Sequence, residues 1–387
     1  MKISASGREL EKWFEAADVR INGTRPWDFQ VRNHRVWNRL IRWGTLGLGE
    51  SYMDGWWDCA AIDEMVCRLL RNGDGQAYNN RLLTFLHGLR AGMLNLQNRA
   101  RAFQVGEAHY DIGNDLYRRM LDTRMTYTCA YWGAGAKTLE EAQRDKLELI
   151  CRKLKLQPGM RVLDIGCGWG SFCRYAAENH GAECVGLTVS REQMRLGNEH
   201  CADLPVEIRL QDYREVDEPF DRVLSVGMFE HVGPKNYRTY MRVTRRCLKA
   251  DGLSLLHTIG SNHTYRVPEG FITRYIFPNG HLPSLAQIGK AMEGLWVAED
   301  LHNFGRDYDR TLMAWYDRVN AAWSELEKNN PRYNQRFQRI WRYYLLSCAG
   351  AFRARKLQLW QWVLSTGESA ERYERVAGRP GENGELL

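Results

Sequence analysis

The chain has 387 residues, 54 basic and 47 acidic side chains and a net charge of +7, with 44% hydrophobic and 26% charged residues. This balance suits a soluble globular protein with one large domain and a smaller one, or two of moderate size. It excludes a membrane-spanning chain, because the longest apolar stretches, such as YYLLSCAGAF, are too short to cross a bilayer.

The start, MKISASGRELEKWFEAADVR, lacks the apolar centre of a signal peptide or anchor. Ten cysteines occur without CxxC pairs or a regular framework, which points to reduced thiols in a cytoplasmic protein. From Arg25 to Trp43 the chain reads RPWDFQVRNHRVWNRLIRW, with five arginines, three tryptophans and one acid. Interleaved arginine and tryptophan suit an anionic surface, either lipid headgroups or nucleic acid. An amphipathic helix with Val36, Leu40 and Trp43 in a core accounts for the pattern equally well. GTLGLGESYMDGWWD, from Gly44, carries four glycines and predicts a turn-rich packing surface. Residues 1–95 thus read as a small amino-terminal domain of mixed short elements, α+β in class. A second compositional unit, 96–387, begins near RAFQVGEAHYDIGNDLYRRML.

From Thr138 the pattern becomes regular. TLEEAQRDKLELICRKL opens with a capping box, Thr138 to Glu141, and keeps apolar residues at helical spacing. RVLDIGCGWGSFCRYAAENH predicts strand, glycine turn and helix. AECVGLTVS, VEIRLQD and FDRVLSVG predict further strands, with REQMRLGNEHC and KNYRTYMRVTRRCL as helices. KADG predicts a helix stop, and LSLLHTIG a fifth strand. LWVAEDLHNF and LQLWQWVLST predict edge strands, with the DRTLMAWYDRVNAAWSELEKN helix before the second. Alternation of this kind predicts an α/β fold with a doubly wound parallel sheet.

LDIGCGWG places Gly166, Gly168 and Gly170 between the first strand and its helix. Glycines there let the backbone turn tightly and approach a ligand at the carboxyl edge of the sheet. Close packing of any strand–helix unit would also use them. Asp164 sharpens the reading, because its carboxylate can hold an ammonium group. No GK[ST] follows, which excludes a P-loop. A dinucleotide site fits poorly, because the spacing is GxGxG and the second strand ends in Thr188, not in an acid. At the end of the fourth strand, MFEHVGPKNY sets Glu230 beside His231. Charged groups there are costly unless a ligand or partner satisfies them.

LDIGCGWG resembles the S-adenosylmethionine motif of class I methyltransferases, with their Rossmann-like sheet. Its surroundings resemble cyclopropane-fatty-acyl-phospholipid synthases, a family that includes the mycolic acid cyclopropane synthases. The likeness is carried by LGLGESYMDGWWD, HYDIGNDLY, YTCAYW, RVLDIGCGWG, QDYR, SVGMFEHVGPKNY, LHTIGS, YIFPNG and AFRARKLQLWQ, almost the whole chain. The resemblance implies cofactor contacts at Tyr127 and Thr128, and along the loop at Leu163, Asp164, Ile165, Gly166, Cys167, Gly168, Trp169 and Gly170. It implies others at Thr188, Val189, Ser190, Arg191, Glu192 and Gln193, and at the pair Asp212–Tyr213. Gln193 is then the candidate for the ribose hydroxyls, unless it is a solvent-facing helix position.

The resemblance also implies the reaction. A cis double bond in a phospholipid acyl chain attacks the sulfonium methyl of S-adenosylmethionine, and loss of a proton from the new methyl closes a three-membered ring. A bound bicarbonate ion is the implied base, with no metal. The matching positions are Cys129, Glu230, His257, Ile259 and Tyr308. His257 and Tyr308 can donate hydrogen bonds to an anion, and Cys129 and Ile259 can offer backbone groups. Glu230 repels a second anion, so either it is protonated or the bound carbonate species shares a proton with it. A helix-capping role for Glu230 and a core role for His257 are the plainer alternatives. His231 has no catalytic match. Cys348, in LLSCAGAFRAR, is a candidate nucleophile by likeness, but the reaction needs no covalent adduct, and a buried thiol fits as well.

The implied partners are a phospholipid bilayer and a second copy of the chain in a homodimer, with no nucleic acid. The implied place is the cytoplasm, peripheral to the inner face of the cell membrane. GFITRYIFPNGHLPSL, from Gly270, and the Arg/Trp segment are the two stretches suited to lipid contact. A methyltransferase acting on another lipid or small molecule without ring closure would share LDIGCGWG. It would not need the set at Cys129, Glu230, His257 and Tyr308.

Overall fold

The structure is a computed structural model that describes residues 5–73, 113–265, 267–368 and 372–376. The chain divides into two compact units: Met1–Asn95, Tyr265–Gly280 and Tyr308–Leu357 form one, and Leu96–Thr264, His281–Asp307 and Gln358–Leu387 the other. The composition changes near residue 95, but two later segments also belong to the first unit. Most of RAFQVGEAHYDI lies outside the described residues.

In the first unit, α1 (Ala5–Ala16) is followed by the short strands β1 (Gln30–Val31) and β2 (Trp57–Asp58), paired antiparallel, and by α2 (Arg35–Met53) between them. Then come α3 (Ile62–Arg71) and, from later in the chain, a short helix over Gly270–Tyr275 and two long ones over Arg306–Asn329 and Gln335–Arg353. The aromatic residues explain the composition of this part. Phe14 packs edge-on against Phe29 at 5.0 Å, Phe29 stacks on Trp57 at 4.7 Å, and Tyr52 lies 4.8 Å from Trp57.

The stretch from Gly44 is helical, contrary to the turn-rich surface expected of its glycines. Gly44 alone breaks the helix, with φ 54° and ψ −130°. Beyond it, a side chain at Gly47 would lie 2.3 Å from the Arg39 carbonyl, and one at Gly49 would lie 2.2 Å from the Phe271 ring. These glycines serve close packing, not turns. Val36 and Leu40 are buried as an amphipathic helix requires, but Trp43 is 43% exposed.

The second unit holds a seven-stranded sheet. Before it come α4 (Asn114–Met120) and α5 (Leu139–Lys153), the latter opened by the expected reciprocal cap between Thr138 and Glu141. The strands are β3 (Arg161–Ile165), β4 (Glu183–Thr188), β5 (Val206–Leu210), β6 (Phe220–Val226), β7 (Leu248–Ser261), β8 (Val297–Asn303) and β9 (Leu357–Ser365). Their spatial order is β5-β4-β3-β6-β7-β9-β8. β5, β4, β3, β6 and β7 pair in parallel, and β8 runs antiparallel to β9. The intervening helices are α6 (Ser171–His180), α7 (Arg191–His200) and α8 (Tyr237–Cys247), as the alternation predicts.

Two expectations are corrected. KADG is part of β7, where a register shift opposite Phe220 and Arg222 absorbs it. LQLWQWVLST is not an edge strand: β9 lies between β7 and β8, and eight of its nine residues are buried. Burial of β9 on both faces, its two glutamines included, suits an interior strand, whereas β8, with a single buried residue, takes the edge. The fit of β9 is tight, since a side chain on Gly260 would lie 1.9 Å from the Trp360 ring. Gly260→Ala should therefore destabilise the protein by about 1–3 kcal/mol through overpacking, measured by urea unfolding, and Trp360→Leu added to it should recover part of the loss.

Candidate active site

The connections leaving β3, β4, β5 and β6 carry most of the candidate side chains, at the carboxyl ends of these parallel strands. After β3, Gly166, Gly168 and Gly170 take positive φ values of 83°, 58° and 79°. The amides of Gly166 and Cys167 both donate to the Leu187 carbonyl of β4, at 2.9 Å, which pins the turn. A side chain on Gly168 would meet nothing within 4 Å among the described residues, so the backbone borders open space there. Asp164 is buried: Oδ2 accepts from the Cys173 thiol at 3.7 Å, and Oδ1 has no partner among the described residues. Burial pushes its carboxyl up to about 7, against the pull of Cys173 and Lys146.

Gln193 sits one turn into α7 and is buried, not facing solvent. Its amide N–H donates to the capping Ser190 hydroxyl, and its side-chain Oε1 accepts from Thr188 at 2.7 Å. The side-chain NH2 is what remains to offer a diol. Val189, Arg191 and Glu192 continue the same turn. Asp212 is clamped by Arg214, whose Nε and terminal nitrogen approach it at 2.8 and 2.6 Å. Burial pushes the neighbouring Tyr213 hydroxyl up to about 12.

Tyr127 and Thr128 reach this unit through the segment after α4. The Tyr127 ring packs edge-on to Tyr117 at 5.2 Å, and Trp169 of the glycine turn lies 5.1 Å from the Tyr117 ring. Thr128 is held from three sides. Gln143 donates to its carbonyl at 2.8 Å, Lys146 donates to its hydroxyl at 2.9 Å, and a side chain on Gly227 would touch its methyl at 2.7 Å. Lys146 was not among the residues the sequence pointed to. It is buried, and loss of water lowers its ammonium to about 8, while Asp122, Cys129 and Asp164 favour the charged form. The signal was present, because Lys146 falls four residues after Ala142 and four before Ile150, on the apolar stripe of α5.

The second cluster lies one strand over. β6 pairs with β7 so that Val226 faces His257, and the Gly227 amide donates to the His257 carbonyl at 2.9 Å. The turn after β6 carries Glu230, whose Oε1 accepts from the Ile259 amide at 2.6 Å. Oε2 is buried without a partner among the described residues. Burial pushes the Glu230 carboxyl up to about 7, and the backbone donors reduce that rise. Glu230 therefore does not cap the next helix. The Gln361 side-chain amide of β9 lies 3.2 Å from His257 Nδ1. With that amide donating, the His257 proton sits on Nε2, which is buried and likewise unpartnered among the described residues. Burial holds His257 neutral, far below its ordinary pKa. The pair thus presents an N–H donor and a carboxyl that exchanges its proton near neutral pH. Gln361 too lay outside the sequence candidates; its signal is a polar residue between two tryptophans in a buried strand.

His231, beside Glu230, is pushed down to about 4 by burial and stays neutral. Cys129 is buried, its thiol donating to the Ala130 carbonyl at 3.3 Å. Tyr308 and Cys348 belong to the first unit. There Tyr308 stacks on Phe352 at 4.5 Å. Cys348 is on a helix, its thiol pushed up to about 12 by burial, which leaves it a poor nucleophile.

A largely parallel sheet in this order, with a left-handed glycine turn after β3, a buried acid on β3 whose Oδ1 has no partner among the described residues and a buried amide after β4, defines a class I methyltransferase. The residues fit S-adenosylmethionine: Asp164 Oδ1 lacks a partner that an ammonium would supply, and Gly168 borders the space its backbone approach needs. The family model described as mycolic acid cyclopropane synthetase matches residues 97–362. The cyclopropane-fatty-acyl-phospholipid synthase of Escherichia coli K12 is 53% identical over 351 residues, 91% of each chain. A crystal structure of the mycolic acid cyclopropane synthase CmaA1 complexed with SAH and CTAB aligns with TM-score 0.62 and 33% identity, over 68% of this chain and 97% of that one. Coclaurine N-methyltransferase, at 20% identity and TM-score 0.67 over 82% of this chain and 98% of that one, shares the fold. The chain belongs to the mycolic acid cyclopropane synthetase family and is an S-adenosylmethionine-dependent transferase.

Glu230 makes its own stability signature. Below about pH 4 the carboxyl is protonated in folded and unfolded chains alike. Between there and its raised value of about 7, the unfolded chain ionises first, so stability falls as pH rises. Glu230→Gln should flatten that fall, making the variant more stable than the parent at pH 8 by on the order of a few kcal/mol. The two should be equal at pH 4. A stability difference independent of pH, in urea titrations across this range, would contradict the assignment.

Proposed function

We propose that this enzyme adds a methylene group to the cis double bond of unsaturated acyl chains in phospholipids and closes a cyclopropane ring. The observation that carries the reading is the Glu230–His257 pair, a buried carboxyl with one oxygen anchored by Ile259 and a neutral imidazole N–H, both unpartnered among the described residues on adjacent strand ends. An ordinary methyl transfer to nitrogen or oxygen has no need of such an anion site. The 53% identity with the Escherichia coli synthase over 91% of both chains supports the same substrate class.

S-adenosylmethionine, when bound, supplies the methyl group. Asp164 Oδ1 would accept from its ammonium, the Gly166–Gly170 backbone would lie against it, and the Gln193 side-chain NH2 would donate to the ribose oxygens. Attack by the double bond leaves a cation on the acyl chain, and the ring closes when a proton leaves the added methyl. His257 Nε2–H would donate to a bicarbonate ion, which would supply the base for this proton. Glu230 Oε2 would accept a hydrogen bond from the ion's hydroxyl, and the shared proton would lessen the repulsion between the two anions. The negative charge held there also stabilises the developing cation without bonding to it.

The test is mass spectrometry of unsaturated phospholipid vesicles incubated with protein and S-adenosylmethionine. The expected product gains one CH2 and loses the double bond. Turnover should fall when bicarbonate is stripped from the buffer and return when it is restored. Glu230→Gln should lower turnover by roughly a hundredfold or more with S-adenosylmethionine affinity nearly unchanged by calorimetry. A methylated lipid that keeps its double bond, or equal loss of turnover and affinity, would overturn the reading.

A further inference from the structure

The first unit brings together the two segments singled out for lipid contact. The kink at Gly44 folds the second half of α2 back along the first. Arg39 and Glu50 are eleven residues apart, about 16 Å along a straight helix, yet they form an ion pair at 2.8 Å, and Arg39 meets Asp54 at 2.6 Å. The helix Gly270–Tyr275 lies on this folded segment, with Phe271 over Gly49 and Gly270 over Leu46. Tyr275 donates to Glu50 at 2.8 Å. A pocket of about 390 Å³ results, lined by Arg39, Arg274 and Arg336 together with Trp43, Leu46, Glu50 and Tyr275.

The charges in this pocket are unequal. Arg39 is spent on two close acids and fixes the inner wall. Arg274 reaches Glu50 only at 3.7 Å and Arg336 reaches Asp54 at 3.4 Å, and their side chains are 63% and 52% exposed. Glu50 is 12% exposed and is already served by Arg39 and Tyr275. At the rim, the Arg42 guanidinium lies 5.4 Å from the exposed Trp43 ring. Two loosely held guanidiniums at the mouth, a buried neutralised base and an exposed indole suit an anionic oxygen group at a lipid–water boundary. Elsewhere in the Arg/Trp segment, Arg25 is occupied by Asp28 and Asp18, while Arg32 is exposed, reaches Asp58 only at 3.5 Å and does not line this pocket.

We infer that this pocket is a phosphate subsite for phospholipid headgroups, formed by Arg274 and Arg336 and rimmed by Trp43. The inference rests on the lipid-substrate reading above and gives that reading a membrane-contact site apart from the catalytic residues. The test uses the full-length protein and phosphatidylglycerol vesicles in co-sedimentation at physiological ionic strength. Arg274→Gln with Arg336→Gln should weaken vesicle binding about tenfold or more. Arg20→Gln with Arg32→Gln removes the same charge from exposed sites of the same unit and should change it much less. Equal losses from the two pairs would mean diffuse attraction and overturn the pocket.

Inorganic phosphate, titrated alone by calorimetry, separates the sources. The headgroup assignment expects millimolar binding that disappears in the Arg274/Arg336 variant. Micromolar binding of free phosphate with no loss of vesicle affinity would overturn it. Alkylation of detergent-dispersed lipid should be unchanged in the variant. Vesicle binding through these arginines by a protein that leaves lipid unmodified would refute the activity and support the pocket. Normal alkylation with unchanged vesicle affinity would refute the pocket alone.

Discussion

The amide of Ile259, 2.6 Å from Glu230 Oε1, is the contact on which the candidate site depends. It exists because β6 and β7 run parallel in a register that sets Val226 beside His257. Two residues farther along β7, the Ile259 N–H then points at the turn leaving β6. That one donor holds half of a buried carboxylate and leaves the other half open to a ligand. A slip of one residue would turn His257 and Ile259 to the other face of the sheet and dissolve the site. The same register places His257 where Gln361 of β9 can fix its tautomer.

Such a site is unfavourable for folding. Asp164 and Glu230 are both pushed up to about 7 by burial, and Lys146 is pushed down to about 8. Each of these groups would be more stable in water. Perturbed groups such as these cluster at functional sites, and Asp164 and Glu230 both lie toward the carboxyl edge of one sheet. The packing around them offsets the cost: β9 brings Trp360, Val363 and Leu364 into the core, and its own two glutamines are buried with them.

The first unit follows a different logic. Its tryptophans and tyrosines pack on one another, and its glycines allow helices to approach closely. Gly44 reverses the helix, and Gly49 accepts the Phe271 ring. Arginines then gather where no helical spacing would place them. Within the arginine-rich stretch, Arg25 is a structural cation paired with Asp18 and Asp28, and Arg39 fixes the wall of a pocket whose exposed cations, Arg274 and Arg336, come from later in the chain.

Local chemistry made much of this legible. The five parallel strands, the capping box of Thr138 and Glu141, the glycine turn and the acid ahead of it follow from periodicity and from backbone needs that only certain residues meet. Glu230 was legible as a candidate because a charged group at the end of an apolar strand requires a partner, whereas His257 became a candidate only through the family resemblance. The role of β9 was not, because a strand's place in a sheet depends on what covers its two faces. Nor was the helix through Gly47 and Gly49, where close packing overrides the turn preference of glycine. Lys146, Gln361 and the Arg39–Glu50 pair are long-range meetings, and sequence spacing carries no distance across the fold. The sequence by itself determined which elements form and which chemical groups the site can use. Only the tertiary structure decided which of those groups meet, because register, burial and the closeness of packed backbones are set by contacts between distant segments.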